Sequence, residues 1–344
     1  MYISATGMVC PVGLNADAAC AAMRAGIANF MELPYRDNRG EPIIGAMVPG
    51  LDGELLFPDR LLELLTAALQ DCIEKSPDLN WDTVPLLVGL PERERPMGNA
   101  AALESLIAKT EEALDVRFHP RHSRTLSSGH VAGFEALRIS RDLLKDPNIP
   151  ACLVCGSDSY VNAGSLLWLD QHWRLKTDEN SDGVIPGEAA AAVLVERPSP
   201  PGKHAVVEVA GLGFGFEPAG VLVEEPLLGL GLAEAVQTAL TEAALGLHEI
   251  DFRFSDLTGE SYGFKEQTLV VGRLLRARRE AIPLWHCGDR IGDTGAAAGI
   301  CQIVYASQML ASGLLLGETV LAHGSGLAGN RAAAILRARS ASIF

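Results

Sequence analysis

Apolar residues recur at helical spacing through Arg60–Lys75 (RLLELLTAALQDCIEK), and an apolar run, Val84–Val88, follows a short Asp/Asn/Trp loop. The first pattern predicts an amphipathic helix and the second a strand. Gly231–Leu247 repeats the helical pattern, followed by the acidic turn Glu249–Asp251 and the apolar stretch Phe252–Leu257. A second pair repeats as well. His130–Leu144 reads as a helix opening after Ser127-Ser128-Gly129, then strand Ala151–Val154 and Gly156. Ala296–Ala311 reads as a helix opening after Gly292-Asp293-Thr294-Gly295, then strand Thr319–Ala322 and Gly324. Two halves with one element order imply an internal duplication. The join falls at the Pro-rich stretch Pro198–Gly202, giving halves of 1–198 and 203–344. Strands alternating with helices and rich in Val, Ile and Leu indicate a layered α/β fold.

Composition narrows the function classes. Of the 344 residues, 48% are hydrophobic and 21% charged, enough for a sizeable core and unlike a disordered chain. Apolar runs such as Ala189–Val195 fall far short of the ~18 residues of a membrane span. No basic region precedes the first charge at Asp17, and Pro11 and Gly13 break the opening apolar stretch. The expectation is a cytoplasmic protein with no membrane partner. A net charge of −15 disfavours nucleic acid, whose phosphates need Lys and Arg. Two basic runs, Arg117/His119/Arg121/His122/Arg124 and Arg273/Arg276/Arg278/Arg279, read as solvated faces. The seven cysteines are scattered; Cys152 and Cys155 sit within an apolar strand, so neither a zinc site nor a disulfide framework is supported. Gly211-Leu212-Gly213-Phe214-Gly215 lacks the third glycine and the helix onset of a dinucleotide fingerprint. No cofactor or metal is expected.

Three segments carry a family resemblance. Asp182-Gly183-Val184-Ile185-Pro186-Gly187-Glu188-Ala189, continuing to Arg197, is similar to the D-G-F-V-x-G-E-G-A segment of β-ketoacyl synthases. Ile3–Gly13 resembles their I-T-G-x-G-x-x-S-P-x-G opening, and Gly292–Gly299 their G-H-x-x-G-A-A-G. The landmarks cover nearly the whole chain in the family's order. The resemblance implies a thiolase-like duplicated α/β/α/β/α fold and a place in fatty acid or polyketide biosynthesis. It also implies Claisen condensation by a Cys nucleophile at a helix N-terminus, with two His residues and a supporting Lys. A positive helix end and neighbouring His supply thiolate, and the His pair stabilises developing negative charge.

Carried over position by position, the Cys falls on Leu126, before Ser127-Ser128-Gly129. The first His falls on Thr258, the second on Asp293, and the Lys on Gly288. Ser325 stands where the family's C-terminal motif has its aromatic gate. Leucine cannot form a thioester, and losing groups that act as a unit costs on the order of a million-fold in turnover. The expectation is a β-ketoacyl-synthase-like protein that has lost condensing activity and acts as a binding or partner subunit. By resemblance it is a homodimer, or a heterodimer with a related chain, paired through Ala151–Cys155, with an acyl group or a carrier protein as a further partner.

Two other readings stay open. One is an acyltransferase or hydrolase with rebuilt chemistry, using Ser127 with nearby His130, or Cys287 with His286, beside the carboxylates of Glu260 and Asp293. Against it, Ser127 and Ser128 read as helix caps, Cys287 as a buried inert thiol, and Asp293 as the cap of the helix after Gly292. The other is a structural or chaperone component of an assembly, which predicts a filled or collapsed pocket. His323 reads as a satisfied core histidine, and Glu188 and Asp182 as structural ties.

Overall fold

The computed structural model describes residues 1–52, 55–96, 101–197, 207–313 and 317–338. The Pro198–Gly202 join, and with it the boundary between the halves, lies outside them. The first half runs β1 (Tyr2–Val9), α1 (Ala16–Arg24), the hairpin β2 (Met31–Arg36) and β3 (Pro42–Gly45), then α2 (Phe57–Ile73). It continues with β4 (Leu86–Gly89), α3 (Leu106–Leu114), β5 (Arg124–Leu126), α4 (Ala132–Leu143), β6 (Ala151–Ser159), α5 (Ala163–Gln171) and β7 (Glu188–Glu196). The second half runs β8 (Val207–Phe216), α6 (Leu230–Glu242), β9 (Phe252–Ser255), α7 (Ser261–Leu274) and β10 (Leu284–His286). It ends with α8 (Gly288–Ile291), α9 (Ala298–Ala311), β11 (Thr319–Ser325) and β12 (Asn330–Ala338).

The ten long-range strands are ordered β10-β9-β11-β12-β8-β1-β7-β6-β4-β5. Read outward from the central β1–β8 pair, the two halves have the same order, β1-β7-β6-β4-β5 and β8-β12-β11-β9-β10. In each half the first and last strands in chain order pair antiparallel (β1 with β7, β8 with β12), and the three strands of this sheet between them in chain order run parallel to one another. Two pseudo-repeated halves are thus built into the sheet.

Hydrophobic patterning decides the layers. One core cluster draws Phe134 and Leu137 of α4 and Ile300 and Val304 of α9 together with strand residues of both halves. α9 is buried at twelve of its fourteen residues, as a helix apolar all round must be. Leu61, Leu65 and Leu69 of α2 cover the outer face of the first half-sheet, and Leu232, Val236 and Val270 of α6 and α7 that of the second. The result is α/β/α/β/α.

One expectation is corrected here. Ala151–Cys155 cannot pair with another chain, because β6 is bonded to β7 along one side and to β4 along the other. The unpaired edges belong to β5 and β10. An interior strand reads as continuous apolar sequence, and a partner-pairing strand needs a free row of N–H and C=O groups.

Candidate functional site

The loops after β4 and β9, the end of β6 and the N-terminal turns before α4 and α9 converge at the carboxyl ends of the parallel strands, the usual ligand position in α/β sheets. Each of those turns begins with a glycine in the left-handed region, Gly129 (φ +55°) and Gly295 (φ +49°). A Cβ at Gly129 would overlap the Glu92 carboxylate, and one at Gly295 the Asp158 carboxylate. The two glycines therefore admit two acids into the protein's centre.

Those acids belong to a buried ionic cluster. Asp293 Oδ1 accepts from His130 Nε2 at 2.8 Å and from the Gly295 N–H at 2.9 Å. Glu92 lies 3.6 Å from His130 Nδ1 and 3.8 Å from Arg95. Arg95 donates to Asp158 at 2.5 Å and stacks 3.6 Å over the Tyr160 ring, while Asp158 also accepts from the Ala296 N–H at 2.9 Å. Every member is buried. Burial opposes the imidazolium, but the Asp293 charge and hydrogen bond, with Glu92, hold His130 protonated well above the ordinary range. Burial likewise opposes both acids, yet His130 draws the Asp293 and Glu92 carboxyls down to about 2.

A second ring of pairs closes the rim. Arg174 donates to both Glu260 oxygens at 2.7 and 2.6 Å. Arg331 donates to Glu266 at 2.8 Å and to Tyr262 at 2.7 Å. Between them lies Asp256, whose carboxylate accepts from the Ser325 N–H at 2.6 Å. Burial pushes its carboxyl up to about 6 against the pull of His130. The space left among His130, Arg174, Asp256, Thr258, Glu260 and Asp293 is about 60 Å³. Pockets for drug-sized ligands run to ~300–1,000 Å³.

Thr258 and Asp293, where the sequence resemblance leads one to expect two histidines, both line this space. Leu126 ends β5, half-buried against the central core. Gly288 opens α8, where a Cβ would stand 2.5 Å from the Leu257 carbonyl oxygen, so this backbone admits no lysine. Ser127 is half-buried, and His130 is held by Asp293 and Glu92 rather than by it. Ser128 does not cap the helix; its hydroxyl donates to Glu135 at 2.6 Å.

Cys287 and His286 do not join the pocket. Cys287 packs in the central core, where burial pushes its thiol well above the ordinary range. His286 faces a separate cleft beside Asp289. Glu260 is matched to Arg174, and among the described residues no group of three or more His, Cys, Asp or Glu is arranged to hold a metal ion. His323 sits by Gln267 at 3.0 Å, and burial pushes its imidazole down to about 3. Glu188 accepts two 2.6 Å bonds from Arg60, one from the Val48 N–H and one from the Ser159 hydroxyl, tying β7 to α2. Asp182 accepts from the N–H and hydroxyl of Ser261 at the start of α7.

Glu92, Arg95, Asp158 and Arg174 were not singled out by sequence reasoning. A signal was present at Pro91-Glu92-Arg93-Glu94-Arg95, an alternating charge run directly after a buried strand, which composition alone assigns to solvent.

No family model matches the chain. In sequence it is 23% identical over 199 residues to a Streptomyces cyaneus protein assigned as a polyketide β-ketoacyl synthase, covering 53% of this chain and 46% of that one. It is 29% identical over 147 residues to an actinorhodin polyketide β-ketoacyl synthase 2 assignment from Streptomyces coelicolor, covering 41% and 34%. The matches therefore span about half or less of the curated relatives' length. In structure it resembles a type II polyketide ketosynthase solved with its acyl-carrier protein, at TM-score 0.81 and 14% identity, over 98% of this chain and 99% of that one. It also resembles the ishigamide ketosynthase/chain length factor, at TM-score 0.73 and 19% identity, over 98% and 99%. The fold is the thiolase-like fold of the ketosynthases. The sequence likeness, over about half of the chain, is to β-ketoacyl synthases as well. Among the described residues no helix is long and apolar enough to cross a membrane.

Proposed function

We propose that this chain is a non-condensing ketosynthase-like subunit whose work is to associate with a related chain in fatty acid or polyketide biosynthesis. One observation carries the reading. The Glu92–His130–Asp293 and Arg95–Asp158 contacts crowd the centre where the condensation site would lie, which supports reading Leu126, Thr258, Gly288 and Asp293 as replacements of the four catalytic residues. An acyl chain has no room beside them. The filled centre equally suits the structural role considered from sequence, and it disfavours rebuilt chemistry, since Cys287 is sequestered and Ser127 lacks a free base.

The ketosynthase/chain length factor likeness supports a related chain as the partner, and the free edge of β5 supports the strand through which it pairs. A carrier protein is the secondary partner, one that an acidic surface meets less readily. The seven unpaired, buried cysteines suit a reducing compartment such as the cytoplasm.

The test is to incubate the purified protein with acetyl- and malonyl-thioesters and to record intact mass and carbon dioxide release. No adduct and no decarboxylation are expected. An adduct on Ser127 or Cys287 that vanishes on mutation to Ala would overturn the reading. Sedimentation of the same sample separates a homodimer from a chain awaiting a different partner.

A further inference from the structure

On the face of the second half-sheet's far edge lies a cleft of about 270 Å³ that shares no residue with the ionic centre. It is framed by α1, β10, α8 and α9. Its flat surfaces are Trp285 and Tyr305, with ring centroids 5.9 Å apart and planes inclined by 42°. Tyr305 is only 4% exposed, yet it lines the cleft and its hydroxyl has no hydrogen-bond partner among the described residues. The buried Nδ1 of His286 is likewise unpartnered, with Asp289 3.8 Å away.

The charges are not balanced. Arg290 is 3.1 Å from Asp289. Arg24 has no carboxylate within ion-pair distance among the described residues, and it lines the cleft beside Tyr305, whose hydroxyl burial pushes above its ordinary range with Arg24 opposing. The cleft is thus cationic by one charge on a chain of net −15. A cation suits the last turn of α1, where Arg24 sits. That role does not account for a second arginine, an unfilled phenol and an unfilled imidazole converging on the same space.

We propose that this cleft binds a small aromatic carboxylate, with its ring against Trp285 and its carboxylate received by Arg24 and Arg290, within reach of the Tyr305 hydroxyl. Guanidinium groups match a carboxylate geometrically, and an indole provides a face for a flat ring. The volume is near the lower end of small-molecule pockets, enough for one or two fused rings. The site stands independently of whether the centre condenses.

Calorimetric titration of the full chain with 2-naphthoate tests it, with 2-naphthalenemethanol and inorganic phosphate titrated alongside. Saturable binding of one naphthoate per chain is expected, with the alcohol and phosphate each weaker by about tenfold or more. Arg24→Ala, an exposed substitution that leaves the core untouched, should weaken naphthoate by about tenfold. Trp285→Phe should weaken it by a smaller factor. Absence of saturable binding up to millimolar naphthoate would overturn the proposal. So would phosphate binding as tightly as naphthoate, or an Arg24→Ala protein that binds it unchanged.

Discussion

The N-terminal turns that precede α4 and α9 occupy equivalent places in the two halves, and they meet at the molecule's centre with different chemistry. In the second half, the amides of Gly295 and Ala296 point at carboxylates, those of Asp293 and Asp158. In the first half, the Gly129 N–H donates to the Leu90 carbonyl, the Glu92 carboxylate packs against Gly129, and His130 turns away to Asp293. A helix start is an electrostatic resource, able to hold an anion or to lower a thiol's pKa. Here the protein's own acids occupy both starts.

The sharpest way to break the comparison is to unpair the second turn. Arg95→Ala takes the cation from buried Asp158 and leaves it the amides of Ser159 and Ala296 as donors among the described residues. Breaking a buried pair from one side costs about 3–5 kcal/mol. Urea denaturation should show a loss of that order. The exposed pair Arg39–Glu179, with side chains 60% and 42% exposed, is the control. Arg39→Ala should cost less than about 1 kcal/mol. Equal losses from the two variants would mean that the central cluster is not what holds the turns.

The first turn can be probed through Asp256, which lies near His130 and is held by one backbone donor. Its carboxyl is raised from 3.8 to about 6 by burial, with His130 and the Ser325 N–H opposing. The folded protein therefore binds more protons than the unfolded chain across that interval. The stabilising contribution is fully present below pH ~4 and is lost as pH rises through about 6, a loss of no more than ~3 kcal/mol. Asp256→Asn keeps an acceptor for the Ser325 N–H and removes the titration. Its stability relative to wild type should rise between pH 4.5 and 7.5, each measured by denaturant midpoint. A constant difference across that range would place the proton elsewhere.

These residues also mark what could be read in advance. The repeat, the helices and the buried strands were legible because each rests on a local period. The ionic centre was not. Glu92 and Asp158 lie 66 positions apart, and Asp293 lies far from both. Only the fold tells that Gly129 and Gly295 open space for carboxylates. The interior place of β6 was hidden for a related reason, since an apolar run does not say which of its edges is free.

The smallest effect expected is an absence, and it bears directly on how the two turns differ from a catalytic pair. Leu126→Cys places a thiol at the end of β5, where the proposed reading puts the family's nucleophile. In an electropositive site the thiol would ionise below its ordinary ~8.5. Here its nearest helix start faces Glu92, and His130 is already committed to Asp293 and Glu92. Half-burial in apolar surroundings adds nothing in favour of thiolate. The rate at which iodoacetamide alkylates the introduced thiol, followed by peptide mass between pH 6 and 10, should therefore titrate at or above ~8.5, with no gain in malonyl decarboxylation. A midpoint near 7 would mean that the first turn still projects a positive field past Glu92.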